Sequence, residues 1–125
     1  MKKLLIASGA FIFLSSFALF SGIGEVISGL KDGNAGTIAK YFDNNVEISL
    51  PGKTANYSKG QGEAVLRDFF ANHPVKSFSV IHQGESGGSQ FCIGKLVTAG
   101  GTYRTTVNLK QTGDKQVLQE IKFEN

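Results

Sequence analysis

The chain is poor in the residues that usually announce covalent scaffolding or catalysis. It holds one cysteine (Cys92), two histidines (His73 and His82), two prolines and no tryptophan in 125 residues. A lone cysteine excludes an intramolecular disulfide, so the domain must be held together by its core. Cys92 lies in the apolar run Phe91-Cys92-Ile93-Gly94, where a cysteine reads as a small buried hydrophobe. Two histidines nine residues apart and scattered acids lack the clustered spacing of a metal site, so no metal is expected. The glycines fall at turns and helix ends without a phosphate-loop pattern, so no cofactor is expected.

A strong charge of either sign is also missing. Thirteen basic residues face ten acidic ones, and two of the thirteen are Lys2 and Lys3 at the extreme N-terminus. A nearly neutral remainder argues against nucleic acid as a partner.

What is present begins with a targeting pattern. Met1-Lys2-Lys3 is a short basic start, and Leu4 to Phe20 is an apolar or small run of about 17 residues. Residues 1–20 therefore read as a secretory signal peptide. Ser16-Phe17-Ala18 offers a small-x-small cleavage site and Ser21-Gly22 a second. The alternative is an uncleaved anchor, since the run sits at the lower limit for a span. On either reading the domain is exported, periplasmic or released, with membrane contact only through this segment.

Residues 21–125 read as one domain. Ile23, Val26, Ile27 and Leu30 mark one helical face, ended by Asp32-Gly33-Asn34. A second short helix presents Ile38, Ala39, Tyr41 and Phe42 and ends at Asp43-Asn44-Asn45. Val46, Ile48 and Leu50 alternate with Glu47 and Ser49 as a strand closed by Pro51-Gly52. Ser58-x-x-Gln61 is a capping box ahead of a helix carrying Leu66, Phe69 and Phe70, which His73-Pro74 stops. Four consecutive antiparallel strands follow. The first alternates Phe78, Val80 and His82 with Ser79, Ile81 and Gln83. The second, Gln90 to Thr98, is apolar almost throughout, and the third alternates Tyr103, Thr105, Val107 and Leu109 with Arg104, Thr106, Asn108 and Lys110. The fourth ends with Ile121 and Phe123 inward. Helices packed on one face of a curved antiparallel sheet make an α+β domain, a cone whose open end can hold a small molecule.

The order resembles the nuclear transport factor 2-like superfamily, the cystatin-like roll shared with ketosteroid isomerase and scytalone dehydratase. The resemblance is carried by Gly29-Leu30-Lys31-Asp32-Gly33-Asn34-Ala35 leading to Ile38-Ala39-Lys40-Tyr41-Phe42-Asp43-Asn44-Asn45-Val46, and by Gly62-Glu63-Ala64-Val65-Leu66-Arg67-Asp68-Phe69-Phe70. Within it, the signal peptide, the Phe91-Cys92-Ile93-Gly94 strand and the Gly101-Thr102-Tyr103-Arg104 turn look most like a family of small secreted bacterial proteins described only as domain of unknown function 4783. The resemblance implies a fold and a pocket, and no activity. Members of isomerase type use a carboxylate inside the cone. Here Glu47 and Glu120 sit on the opposite alternation from the inward residues.

The candidate site residues follow from that geometry. Tyr41, Phe42, Phe69, Phe70, Phe78, His82, Phe91 and Tyr103 would line an apolar interior, or fill it. His82 shares an alternation with Phe78 and Val80 and is the best polar candidate, as donor or base. The bland alternative is a solvated strand-end histidine. Asp43 is the weaker acid–base candidate, placed where an Asp most often forms a turn. A Cys92–His82 nucleophile pair has no local signature. Arg104, Thr106 and Asn108 form a polar outer face, and superfamily members often dimerise by stacking such faces. The expectation is an exported, non-enzymatic domain that binds a small apolar ligand or a protein partner, including a homodimer. The alternative is a small isomerase- or dehydratase-like enzyme that uses His82.

Overall fold

A computed structural model of the chain describes residues 21–125; the expected signal peptide, residues 1–20, lies outside the described residues. Helix α1 (Ser21–Asp32) ends where expected. Gly33 takes φ +63°, and the N–H groups of Gly33 and Asn34 return to the carbonyls of Leu30 and Gly29. This is a Schellman closure, which satisfies carbonyls the helix leaves unpaired. Asn34 then caps the next helix, α2 (Ala35–Ala39), its Oδ1 accepting the Thr37 N–H at 3.1 Å.

Helix α2 is shorter than its apolar pattern suggests. Tyr41 and Phe42 were expected on it, but Phe42 opens strand β1 (Phe42–Leu50) and pairs with Leu118. The Tyr41 carbonyl accepts the Leu118 N–H, so main-chain pairing draws this segment into the sheet. The turn Pro51-Gly52 leads into a strand absent from the sequence reading, β2 (Lys53–Ser58). Only Ala55 and Tyr57 of β2 are half-buried, so it lacks the apolar alternation that marks a strand. Ser58 caps helix α3 (Lys59–Asn72) as expected, its Oγ accepting the Gln61 N–H at 3.4 Å. At Gly62 the helix lies so close to β1 that a Cβ would stand 2.8 Å from the Val46 side chain.

Strands β3 (Val75–Ser86), β4 (Ser89–Thr98), β5 (Gly101–Thr112) and β6 (Lys115–Glu124) form a meander. Strands β3 and β4 join in a tight hairpin through Gly87 and Gly88, both at positive φ. The six strands run in the order β2-β1-β6-β5-β4-β3, and β1 pairs with β6 in parallel. The sheet is therefore mixed rather than wholly antiparallel, because its last strand returns beside its first.

The helices cover one face of the sheet. Leu30, Ile38, Leu66, Leu96, Val107, Leu118, Ile121 and Phe123 join Val26 and Val46 in one buried cluster. Among the described residues no buried side-chain nitrogen or oxygen lacks a hydrogen-bond partner.

Candidate functional site

Five of the expected pocket residues are buried on the helix side of the sheet, and three of them, Phe69, Phe70 and Tyr103, meet through Phe69. Phe42, Phe69, Phe70, Phe78 and Tyr103 are all buried in the single core cluster. Phe69 stacks on Phe123 with centroids 4.6 Å apart and presents edge contacts to Phe70 at 5.8 Å and Tyr103 at 5.5 Å. His73 lies against the outer side of this group, stacked on Phe69 at 4.4 Å with its Nδ1 2.9 Å from the Phe69 carbonyl. Offset and edge-on rings at these separations are mutually attractive packing. The rings occupy the interior with one another.

Tyr41 stands at the rim, its hydroxyl donating to Glu25 Oε2 at 2.7 Å. Burial, and then the hydrogen bond and charge of Glu25, push its pKa up to about 12. Asp43 also lies at this end. Its Oδ1 accepts the Asn44 N–H at 2.8 Å and its Oδ2 accepts Gln119 Nε2 at 3.3 Å, the bonding of a turn former.

His82 and Phe91 lie elsewhere. The pairing of β3 with β4 slips between Val80 and His82, leaving Ile81 as the extra residue of a bulge. One extra residue sends every later side chain to the opposite face. Phe78 and Val80 pair with Leu96 and Gly94 on the helix side, whereas His82 pairs with Ile93 on the outer side. The expectation that His82 shares a face with Phe78 and Val80 is thereby corrected. Its ring lies 5.3 Å from that of Phe91. Cys92 is fully buried on the helix side, so the two strand faces separate it from His82. Burial pushes the Cys92 thiol up, which holds it in the unreactive form.

Two phenylalanine-over-glycine pairs secure β3 to β4, one on each face. Inside, the Phe78 ring covers Gly94. Outside, the Phe91 ring covers Gly84, where a Cβ would stand 2.7 Å from Phe91 Cε1. Such pairs let an aromatic ring supply the packing a strand glycine lacks.

The outer face continues from Phe91 through half-buried Ile93 and Val97. Arg104, Thr106 and Asn108 follow on β5, as the alternation predicts, paired with Glu124, Lys122 and Glu120 on β6. Asn108 Nδ2 donates to Glu120 Oε1 at 2.7 Å, and Lys122 Nζ lies 3.6 Å from Glu120 Oε2. Glu47 faces Glu120 across the parallel β1–β6 pair. A hydrogen bond to Glu120, then desolvation and the Glu120 charge, raise the Glu47 pKa against the opposing pull of Lys122. The carboxylates on this face are thus concentrated on β1 and β6, with Lys122 among them, and the cations Lys95 and Arg104 stand side by side on β4 and β5. The apolar half of this face was missed in the sequence. Its signal was the Gln90–Thr98 strand, apolar on both alternations, a mark of burial on two sides.

Among the described residues no three His, Cys, Asp or Glu side chains cluster as a metal site, and no helix is long and apolar enough to cross a membrane.

Comparison with solved structures places this geometry. A DUF4783 family protein from Bacteroides uniformis superposes with a TM-score of 0.79 at 33% identity, covering 82% of this chain and 94% of that one. A second, from Bacteroides ovatus, gives 0.78 at 30% identity, covering 81% and 92%. An NTF2-like protein of unknown function from Shewanella baltica gives 0.63 at 13% identity over 90% and 94%, which supports the fold alone. Comparison with curated proteins finds no match. The sequence matches the family described as Domain of unknown function (DUF4783) over residues 23–124, and with the shared nuclear transport factor 2-like fold this chain belongs to that family.

Proposed function

We propose that this protein is an exported, non-enzymatic interaction domain that binds protein through the outer face of its sheet, a second copy of the chain being the partner the face fits. One observation carries the reading. The cone is packed with its own rings, whereas the outer face carries Phe91, Ile93 and Val97 only half-buried beside His82. Half-covered aromatic and aliphatic side chains at the centre of a polar-rimmed surface are the anatomy of a protein interface.

The charges favour self-association. A two-fold axis near Thr106 would set Lys95 and Arg104 of one copy against Glu47 and Glu120 of the other. A small apolar ligand would have to displace Phe69, Phe123 and Tyr103 from each other. An isomerase- or dehydratase-like role for His82 has little geometric support, because that ring stands outside the cone. Export rests on the basic start and apolar run of residues 1–20.

The test is sedimentation velocity over a range of protein concentrations. The wild type is expected to sediment as a dimer and Ile93→Glu as a monomer with unchanged circular dichroism. A wild type that stays monomeric throughout, or a variant that still dimerises, contradicts the reading.

A further inference from the structure

We infer that a second site, a lysine-lined groove at the end of the domain where α1 begins, binds the phosphate group of an anionic ligand. The groove has a volume of about 680 Å³ and runs between the start of β1 and the β5–β6 hairpin. Lys40, Lys59 and Lys115 line it with Asn44, Gln111 and Gln116, and the two glutamine amides are already engaged, Gln111 donating to the Gly113 carbonyl and Gln116 to Gln90. It is separate from the outer sheet face and touches the core only at Phe42.

The groove arises from a break in the sheet. Phe42 pairs with Leu118 and the next β1 partner of β6 is Glu47, so the chain between them leaves the ladder and opens a hollow. Its walls are fixed by bonds already made. Tyr41 is held by Glu25, and both oxygens of Asp43 are engaged by Asn44 and Gln119. The other lining acid is Asp114, at the hairpin tip.

The lysines are the groups left over. Among the described residues the ion pairs are Arg67–Glu63 and Lys122–Glu120, and none involves Lys40, Lys59 or Lys115. Three exposed ammonium groups along one groove, none of them in an ion pair, suit a multiply charged oxyanion better than a single carboxylate. Lysine acts on such an anion as a point charge, whereas planar carboxylate recognition favours the arginine fork. The only arginines of the chain, Arg67 and Arg104, are not among the lining residues.

The position bears on the source of the phosphate. The backbone of Gly22, at the start of α1, packs against Gln116 of the groove wall, and the apolar run of residues 4–20 directly precedes it. A lipid headgroup and a free phosphate share the required chemistry, and the experiment separates them.

The test uses the full chain and its Lys40→Gln/Lys59→Gln/Lys115→Gln variant. In the first arm, thermal melting is compared in inorganic phosphate and in chloride at matched ionic strength. In the second, co-sedimentation is compared between phosphatidylcholine vesicles with and without phosphatidylglycerol; residues 1–20 are common to both chains and cancel. A phosphate-dependent rise in Tm that the variant lacks supports a free-phosphate site. Preference for the anionic vesicles, reduced in the variant by up to about a hundredfold, supports a headgroup site, since each of the three lysines near such a surface contributes about fivefold. Equal behaviour of the two chains in both arms overturns the inference. If the triple variant melts early in chloride, Lys115→Gln alone, on the exposed hairpin, is the substitute and carries a smaller share of the same effect.

Discussion

The two faces of the β3–β4 hairpin use the same device with different outcomes. Phe78 covers Gly94 on one side and Phe91 covers Gly84 on the other. The inner ring is then sealed by the helices and is 4% exposed, while the outer ring remains half-buried. A phenylalanine on a strand glycine is thus a complete packing unit only where a second layer covers it. The outer pair is half of such a unit, and a partner surface would supply the rest.

Substitutions at these pairs break the comparison most sharply. Phe78→Ala should cost about 3–5 kcal/mol by leaving a cavity in the core, measured by urea unfolding. Phe91→Ala, assayed at concentrations where the chain is monomeric, should cost about 1 kcal/mol or less. Equal costs would mean the outer ring is as fully packed as the inner one.

The glycines sharpen it further. A Cβ at Gly94 would collide with the Phe78 ring and stand 2.7 Å from the Ser79 carbonyl oxygen, and backbone cannot swing aside. At Gly84 the nearest atoms belong to the Phe91 side chain alone, which can rotate outward. Gly94→Ala should therefore lower Tm markedly more than Gly84→Ala, while Gly84→Ala should weaken self-association by displacing Phe91.

Smaller effects lie in titration. Glu47 on the outer face is held above the ordinary carboxylate value of 4.5 by its bond to Glu120. A raised native pKa means the folded state binds the proton more tightly than the unfolded state. Its contribution is present at acid pH and is lost as pH rises from 4.5 through the raised value. Glu47→Gln should remove that part of the slope of Tm against pH. At the rim of the cone Tyr41 should ionise near 12 in an absorbance titration, and Glu25→Gln should bring it down. At the α3 cap, Ser58→Ala should cost about 1 kcal/mol.

Much of this was legible in the sequence because local chemistry dictated it. Gly33-Asn34 ended one helix, Ser58-x-x-Gln61 began another, and Tyr103 to Leu109 alternated cleanly into core and surface. What was not legible depended on pairing. Strand β2 owes its existence to the Pro51-Gly52 hairpin and its bonds to β1, since its own residues are mostly polar and exposed. Phe42 carries a helical spacing but is claimed by Leu118 of β6, 76 residues later. The bulge at Ile81 carries no sequence mark, yet it decides the face of His82. A strict alternation therefore sent that ring into the cone. Ile81 itself, the unpaired residue of the bulge, is 66% exposed.

The most direct test is amide hydrogen exchange of the wild-type protein at low and high concentration. The account predicts that protection of residues 91–97 and 104–108 rises with concentration while that of β1, α3 and the inner aromatic cluster stays constant. Protection independent of concentration across β4 and β5 would contradict it.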